Sequence, residues 1–450
     1  MAEFQVDADG TRVFELEARP GSSDFLPGVQ TPTWGYNGDF LGPTLRAERG
    51  QRIAIAVTNS LDEVTTVHWH GMHLPAAMDG GPHQVIAPGD TWRPTWEINQ
   101  PAATLWYHPH PHGRTEEHVY RGLAGMFYVD DPSEAPALPN RYGVDDIPVV
   151  VQDKEFTDAG ELTMGERQAE PGVLGSTVMT NGVIGAYFEV STEMIRLRLL
   201  NGSTARTYDF GFEDNRNFDL VATDGGLLAE PYSTTRIRLS PAERAEIIVT
   251  LTPGDIAMLR SYPPELGDVA SSFAFGGEDT FDVLQLRAND YLRPSSAVPA
   301  ILHNHVRLQE ADATVHREFT MAARMINGAQ MDMNRIDEVV IEGTTEIWEI
   351  RSTDRLTHNF HIHDVQFYVL SIDGVAPPTE LAGRKDTIYV EPGRRYRLIM
   401  QFGKYVDPEA AYMYHCHLLR HEDEGLMGQF VVVGTNDPQP SSLSGLNHQH

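Results

Sequence analysis

The sequence is poor in cysteine: one residue in 450, Cys416, is a cysteine. An intrachain disulfide is therefore excluded, and cysteine usage alone does not assign a redox compartment. The apolar fraction of 41% is ample for packed cores. An isolated cysteine is most often a small buried hydrophobic side chain, so the neighbours of Cys416 decide whether it has a chemical role.

Long apolar runs and positive charge are also scarce. No run of about 18 apolar residues occurs, so no helical membrane span is expected. Lys and Arg number 34 against 64 Asp and Glu, which gives a formal net charge of −30. Phosphates would repel such a protein, so neither nucleic acid nor an anionic membrane is an expected partner. The first residues, Met-Ala-Glu-Phe-Gln, lack the pattern of an export signal.

The apolar pattern favours strands over helices. Short segments place apolar residues at every second position or in brief runs, and they are separated by Gly, Pro, Asn or Asp. Examples are residues 52–57, 195–200, 236–239, 395–401 and 429–433. The 39 Gly and 29 Pro suit a turn-rich protein. The pattern predicts an all-β fold made of β-sandwiches.

Two proline-containing stretches, residues 131–148 and 288–316, divide the chain into three pieces of ordinary domain size. The end of the chain is rich in Pro, Ser and Asn and is expected to be mobile. The expected units are domain 1 (1–132), domain 2 (145–290), domain 3 (316–436) and a flexible tail (437–450).

Histidine is concentrated in a few places. Of 19 histidines, ten fall in four short clusters, two in the first third of the chain and two in the last. The clusters are His68-Trp69-His70, His108-Pro109-His110, His358-Asn359-Phe360-His361-Ile362-His363, and His415-Cys416-His417 with His421. Side chains at i and i+2 of a strand share a face. Cys416 would therefore face away from its two neighbours, so that one short strand serves two metal sites.

The donor types point to copper. One thiolate and two imidazoles form the trigonal set of a blue-copper electron-transfer site, and Cys416, His421 and His358 supply it. Neutral imidazoles without cysteine or carboxylate suit a cluster of copper ions, and eight remain: His68, His70, His108, His110, His361, His363, His415 and His417. Zinc is the rival metal, but structural zinc sites use four ligands and often paired cysteines, and no second cysteine exists here.

In and around the four histidine clusters the sequence resembles the multicopper oxidases, specifically the three-domain bacterial group of laccases, cuprous oxidases and bilirubin oxidases. The matching segments are residues 68–72, 106–113, 358–363 and 415–423, in the family's order and spacing. The resemblance implies three cupredoxin-like Greek-key β-sandwich domains, with copper ligands in the first and third. It also implies four copper ions: one type 1, one type 2 and a type 3 pair.

The resemblance also assigns roles. His358, Cys416 and His421 resemble the type 1 ligands, and His68 and His361 resemble the type 2 ligands. The type 3 pair would be bound by His70, His108, His110, His363, His415 and His417. Cys416 would pass electrons through its neighbours' backbone to the cluster.

Two acids resemble the family's proton relay. They are Asp79, in Met78-Asp79-Gly80, and Glu422, which follows His421. The plainer interpretations are a turn residue for Asp79 and a solvated charge for Glu422.

The axial position of the type 1 site departs from the close bacterial relatives. They have a weakly bound methionine ten residues after the cysteine, whereas this chain has Leu426, followed by Met427. We expect a non-coordinating Leu426, because a one-residue shift to Met427 would exchange strand faces. The loss of a thioether donor would raise the potential of the copper.

Together these features predict a laccase-like oxidase that couples one-electron oxidation of phenols or aromatic amines to four-electron reduction of dioxygen to water. Its partners would be dioxygen and a small-molecule reductant, and a monomer in the periplasm or outside the cell is expected. Two alternatives stay open. Met321, Met325, Met331 and Met333 could instead serve an oxidase of Cu(I) or Mn(II), and the fold could carry a non-catalytic copper-binding protein.

Overall fold

A computed structural model of the chain describes residues 1–134, 136–164, 170–304, 306–437 and 439–443. Most of the predicted flexible tail, residues 438 and 444–450, lies outside the described residues. Within the described ranges, no helix has the length and apolar character that crossing a bilayer requires.

Domain 1 is a sandwich of two sheets. Its strands are β1 (Gln5–Val6), β2 (Arg12–Ser23), β3 (Thr31–Tyr36), β4 (Leu45–Glu48), β5 (Arg52–Asn59), β6 (His68–His70), β7 (Thr91–Trp92), β8 (Thr95–Glu97), β9 (Ala103–His108) and β10 (Gly125–Asp130). One sheet has the order β1-β2-β5-β7, with β3 on β2 and β8 on β5, and the other has the order β4-β10-β9-β6. Phe14, Ile55, Leu105 and Phe127 pack between them. Helix α1 (Thr115–Arg121) and 3₁₀ turns at Ala76–Met78 and Pro132–Glu134 complete the unit.

Domain 2 repeats this plan. Its strands are β11 (Asp146–Lys154), β12 (Thr177–Thr180), β13 (Val183–Ile184), β14 (Tyr187–Thr192), β15 (Met194–Asn201), β16 (Tyr208–Phe212), β17 (Phe218–Thr223), β18 (Gly226–Thr234), β19 (Ile237–Leu239), β20 (Arg244–Thr250), β21 (Ile256–Tyr262) and β22 (Phe281–Arg293). The sheet orders are β13-β12-β11-β15-β20-β17-β18 and β14-β22-β21-β16-β19. Leu197, Phe210, Ile247 and Leu286 lie in the core. A 3₁₀ turn spans Phe273–Phe275.

Domain 3 carries the last two histidine clusters. Its strands are β23 (Val315–Ala322), β24 (Met325–Ile326), β25 (Glu338–Ile341), β26 (Thr345–Ser352), β27 (His358–Ile362), β28 (Phe367–Ile372), β29 (Thr387–Val390), β30 (Arg395–Gln401), β31 (Asp407–His415) and β32 (Met427–Val433). The sheet orders are β24-β23-β26-β30-β28 and β25-β32-β31-β27-β29. Trp348, Phe360 and Cys416 share its core. Helix α2 (Leu419–Asp423) follows β31, and 3₁₀ turns lie at Glu310–Asp312 and Thr379–Leu381.

The three sandwiches share one strand-pairing scheme. In each domain an early strand runs parallel to a later strand of its sheet: β2 with β5, β11 with β15, and β23 with β26. The second sheets repeat this with β4 and β10, β14 and β22, and β25 and β32. Parallel neighbours require crossover connections rather than hairpins. The predicted all-β class, with three cupredoxin-like sandwiches, is confirmed.

The strand predictions are also confirmed, with the segment at 236–239 beginning one residue before β19. The predicted segment 395–401 coincides with β30, and the segments at 52–57, 195–200 and 429–433 lie inside β5, β15 and β32. The residue limits of the domains stay a prediction; β22 runs to Arg293, past the limit at 290.

Candidate metal centres

The antiparallel pairing of strands places histidines of different sequence clusters opposite each other. The β6–β9 register places His68 opposite His108, and the β27–β31 register places His361 opposite His415. Each domain therefore presents a pair of histidines at the end of one sheet, as expected for neighbouring antiparallel strands.

The two domains bring their histidines into direct contact. The rings of His68 and His363 stack with centroids 3.8 Å apart, and those of His70 and His361 stack at 3.7 Å. The cluster is thus built across the interface of domains 1 and 3.

Ring nitrogens converge at two further points. Nε2 of His415 lies 3.2 Å from Nε2 of His110 and 3.2 Å from Nε2 of His363. Nε2 of His417 lies 3.3 Å from Nε2 of His108. The eight predicted cluster histidines are all buried. The structure therefore brings together, in one buried space, eight imidazoles that the sequence holds in four separate places.

Some of the ring nitrogens of the cluster have no hydrogen-bond partner in the described part of the protein. Among the described residues, His68 Nε2 and His361 Nε2 are buried without a hydrogen bond. Their Nδ1 atoms donate to the backbone carbonyls of Asp79 at 3.0 Å and Asp386 at 2.9 Å. An unsatisfied buried acceptor is costly unless something binds it. A copper ion bound by neutral nitrogen donors would satisfy both atoms, so the residues fit the implied metal.

Six of the cluster histidines are held neutral. Burial, with the neighbouring imidazoles, lowers the pKa of five of them well below the ordinary value: His70, His108, His110, His361 and His417. Burial likewise lowers the pKa of His363 to about 3. Metal ligation requires the deprotonated nitrogen, so the site is prepared for a cation.

The two predicted relay acids flank the cluster in matching ways. Asp79 Oδ2 accepts from His363 Nδ1 at 2.6 Å, and Oδ1 lies 3.3 Å from His68 Nδ1. The Glu422 carboxylate lies 3.2 Å from His110 Nδ1 and 3.1 Å from His415 Nδ1. Each acid thus lies beside the Nδ1 atom of one histidine from domain 1 and one from domain 3. Glu422 is 2% exposed, so it is not a solvated charge.

A second donor set lies inside domain 3. Cys416 Sγ is 3.8 Å from His358 Nδ1 and 3.7 Å from His421 Nδ1, and the two nitrogens are 3.2 Å apart. All three side chains are fully buried. The outward Nε2 atoms donate to Asp354 Oδ1 at 3.0 Å and to the Glu170 carbonyl at 2.9 Å. Those bonds leave both Nδ1 lone pairs free to face the sulfur.

The thiol needs a metal to ionise. Burial raises the pKa of Cys416 to about 12, so the thiol is neutral at physiological pH without a cation. Burial and the adjacent His358 lower the pKa of His421 well below its ordinary value. A bound cation would displace the thiol proton and be held by the thiolate, so metal binding at this trio would be coupled to proton release.

Leu426 is buried and is a hydrogen-bonded backbone neighbour of Cys416. It belongs to the buried cluster that includes Cys416, and its carbonyl accepts from the Cys416 backbone at 3.1 Å. Met427 packs instead with Met413 and Ile336 in a separate cluster. The two neighbours therefore pack in different places, and the assignment of Leu426 to the axial position stays a prediction.

The methionines do not form one exposed group. Met321 is fully buried in the core of domain 3, whereas Met325, Met331 and Met333 are half-buried. Packing explains Met321 without a ligand role.

Several residues around the donors escaped the sequence analysis. They are Asn359, Asp354, Asp386 and Arg244. Asn359 Oδ1 accepts from the backbone N of His417 at 2.6 Å and lies 3.6 Å from Cys416 Sγ. Asn359, inside the third histidine cluster, and Asp354, four residues before His358, are close in sequence to the donors. Asp386 and Arg244 are far from every histidine cluster in sequence, and no motif marks them.

The sequence matches multicopper oxidase family models over residues 17–134, 183–265 and 302–436. It is 37% identical over 437 residues to the multicopper oxidase mco of Staphylococcus haemolyticus, covering 96% of this chain and 91% of that protein. It is 34% identical over 417 residues to the cell division protein FtsP of Salmonella typhimurium, covering 91% and 87%.

A solved structure shares the fold throughout. It is the laccase-like multi-copper oxidase CueO of Ochrobactrum sp., described as having oxidase activity towards lignin model compounds and lignosulfonate. Its TM-score is 0.87 at 33% identity, covering 95% of this chain and 98% of that one. With the two buried donor sets, these matches show that the chain belongs to the multicopper oxidases, copper-dependent oxidoreductases that use dioxygen as electron acceptor.

Proposed function

We propose that this protein is a laccase-like oxidase that couples one-electron oxidation of phenols or aromatic amines to four-electron reduction of dioxygen to water. The observation that carries the proposal is the position of Cys416 between His415 and His417. One side chain belongs to the buried trio, and its two neighbours belong to the cluster between domains 1 and 3.

The proposal assigns four copper ions to these donors. His358, Cys416 and His421 would hold type 1 copper, with Leu426 at the axial position as a non-ligand. His68 and His361 would hold type 2 copper, and the other six cluster histidines the type 3 pair. When bound, copper would accept single electrons at the trio and supply the electrons for dioxygen reduction at the cluster.

The chain's own residues connect and isolate the two sites. A few covalent bonds separate the Cys416 sulfur from the imidazoles of His415 and His417. Asn359 spans the same gap, because its Oδ1 accepts from the His417 backbone beside the sulfur. Burial of every donor excludes bulk water from both places.

Dioxygen reduction consumes protons as well as electrons, and we assign their delivery to Asp79 and Glu422. Each carboxylate lies beside the Nδ1 atoms of two cluster histidines and leaves their Nε2 atoms free to face the cluster. Against the effect of burial, the adjacent histidines hold the pKa of both acids below the ordinary value, so each is a carboxylate that can accept a proton and pass it to the cluster without opening the site to solvent. We further propose a monomer that works in the periplasm or outside the cell, the location that the resemblance implies.

One observation favours a metal-ion oxidase as the second candidate. Asp354, which accepts from His358 Nε2, has a side chain that is 22% exposed. A carboxylate at the outer edge of the electron-accepting site is a suitable contact for Cu(I) or Mn(II), and the net charge of −30 attracts cations. A non-catalytic copper-binding role is less favoured, because both buried donor sets are intact.

Oxygen uptake by the copper-loaded protein separates these candidates. A phenol and Cu(I) are compared side by side, with wild type and Asp354→Asn. Faster turnover on the phenol, insensitive to Asp354, supports a laccase. Faster turnover on Cu(I) that falls in Asp354→Asn supports a metal-ion oxidase. Full copper loading with no uptake on either reductant would contradict both and leave the copper-binding role.

A further inference from the structure

Arg244, at the start of β20 in domain 2, is buried where the three domains meet. Its side chain is fully enclosed. Nε donates to the carbonyl of Thr104 in domain 1 at 3.0 Å, and the two terminal nitrogens donate to the carbonyls of Ala242 at 3.0 Å and Asp224 at 3.1 Å. A fully buried guanidinium persists only when its hydrogen bonds are made, so this arrangement is specific.

The remaining donors of Arg244 clamp one carboxylate of domain 3. Nη1 lies 2.7 Å from Asp386 Oδ1, and Nη2 lies 2.6 Å from Asp386 Oδ2. With the three carbonyl contacts, all five N–H groups of the guanidinium are used. The two-pronged contact fixes the plane of the carboxylate as well as its position.

Asp386 in turn fixes a cluster histidine. Its Oδ1 lies 3.0 Å from His70 Nε2. Because this oxygen already accepts from Arg244 and from Thr387 Oγ1, it acts as an acceptor, and His70 Nε2 must carry the proton. Nδ1 of His70 then keeps its lone pair, 3.4 Å from His108 Nε2 inside the cluster.

This orientation is opposite to that of the adjacent ring. His361, which stacks on His70, is held through Nδ1 by the backbone carbonyl of Asp386 and offers Nε2. Asp386 therefore orients both stacked imidazoles. Its side chain holds His70 and its backbone carbonyl holds His361, so opposite ring nitrogens face the cluster.

The glycine after His70 makes room for the pair. Gly71 has a φ of 85°, and a Cβ there would lie 2.6 Å from Asp386 Oδ2 and 2.9 Å from Arg244 Nη2. Any side chain would displace the ion pair as well as strain the backbone. The glycine of the first histidine motif is thus explained by its positive φ and by the ion pair between domains 2 and 3.

We propose that Arg244 is a positioning residue through which domain 2, which supplies none of the proposed ligands, fixes the tautomer and orientation of His70. By fixing that ring, Arg244 strengthens the binding of copper at the cluster. The inference rests on the copper assignment proposed above. Loss of the clamp frees the Asp386 carboxylate to rotate, and His70 can then turn its protonated nitrogen towards the cluster.

The test is Arg244→Lys in the full chain, because lysine keeps the charge but cannot hold both carboxylate oxygens in one plane. The blue absorption of type 1 copper should persist, since the trio is untouched. The optical and magnetic signature of the coupled type 3 pair should be lost, or cluster copper should be released about 10- to 100-fold more readily to a chelator. Asp386→Asn carries the same expectation if Arg244→Lys does not fold.

Arg206→Lys is the matched control. Arg206 is also a buried arginine of domain 2, and its Nε donates to Asp153 Oδ2 at 2.8 Å within that domain. Loss of the type 3 signature in Arg244→Lys but not in Arg206→Lys supports the inference. An unchanged signature and chelator release in Arg244→Lys, or equal losses in both variants, overturns it. A wild type that shows neither type 1 nor type 3 signatures contradicts the copper assignment itself.

Discussion

The two donor sets differ in how the protein builds them. The trio of Cys416, His358 and His421 comes from one domain, and its members lie within 63 residues of one another. The cluster draws its rings from domains 1 and 3, with contacts such as His110 to His415 across 305 residues. A site inside one core depends on that core alone. A site across an interface also depends on the packing of the domains, which is where Arg244 acts.

The two sets also present different nitrogens. In the trio both histidines turn Nδ1 inward, because Asp354 and the Glu170 carbonyl take Nε2. In the cluster His68 and His361 turn Nε2 inward, because backbone carbonyls take Nδ1. Which nitrogen is offered is therefore decided by the acceptor behind the ring.

The sharpest way to separate the two sites is Cys416→Ser. The hydroxyl is not a thiolate donor, so the blue absorption should vanish, and oxygen uptake should fall by more than the roughly 100-fold seen when an outer-shell partner is lost. Copper at the cluster should remain, measured by copper content and by the type 3 signature. Persistent blue colour in this variant would contradict the assignment of Cys416 as the thiolate donor, because the sequence has no second cysteine.

Glu422→Gln should affect the cluster and spare the trio. The amide keeps the shape of the side chain but cannot release a proton. Reduction of the blue site by substrate without oxygen should be normal, while reoxidation by dioxygen should slow by about 10²-fold or more. Rapid-mixing absorbance measurements resolve the two phases. Equal slowing of both phases would mean that Glu422 supports the structure rather than proton delivery.

Glu116→Gln should change stability while leaving both copper sites unaltered. Burial raises the pKa of Glu116, on α1, to about 7 from 4.5. The folded protein thus holds this proton more tightly than the unfolded chain. Stability is therefore lost as pH rises from about 4.5 to about 7, by up to about 3 kcal/mol.

The variant cannot ionise, and its amide oxygen can still accept from the Val173 backbone, as Glu116 does at 3.1 Å. Denaturant unfolding should show Glu116→Gln and wild type equally stable near pH 4.5, with the variant more stable at pH 8. A parallel pH dependence for both proteins would exclude Glu116 as the source. The blue and type 3 signatures serve as the control and should not change.

The smallest effect is expected from Leu426→Met. An axial thioether stabilises Cu(II), so the potential of the type 1 copper should fall. A shift of roughly 60 mV corresponds to a tenfold change in a one-electron equilibrium. Met427→Leu is the control, because Met427 packs in a different buried cluster, and it should leave the potential unchanged. The opposite result would place Met427 at the axial position.

Much of the candidate site was readable from local pattern. The apolar segments at 395–401 and 52–57 were recognisable because most of each strand is buried, including every residue from 53 to 57. The His-x-His spacing predicts a shared face, and the structure places His68 and His70 of β6 together in the cluster. Such predictions succeed because strand geometry fixes the directions of neighbouring side chains.

Other features had no local signal. Arg244 and Asp386 are 142 residues apart, and each stands in an ordinary strand or loop context. The burial of Glu422 and the raised pKa of Glu116 likewise depend on where α1 and α2 pack, since the same residues on an exposed helix would be solvated.

The sequence by itself determined the donor types, their grouping and their alternation along strands, because these depend on covalent order and backbone geometry. It also shows a leucine, Leu426, at the position where the close bacterial relatives have a methionine. The tertiary structure alone decided which imidazole nitrogen faces the cluster and which domain holds it there. Those choices depend on acceptors that the packing of three domains delivers from distant parts of the chain.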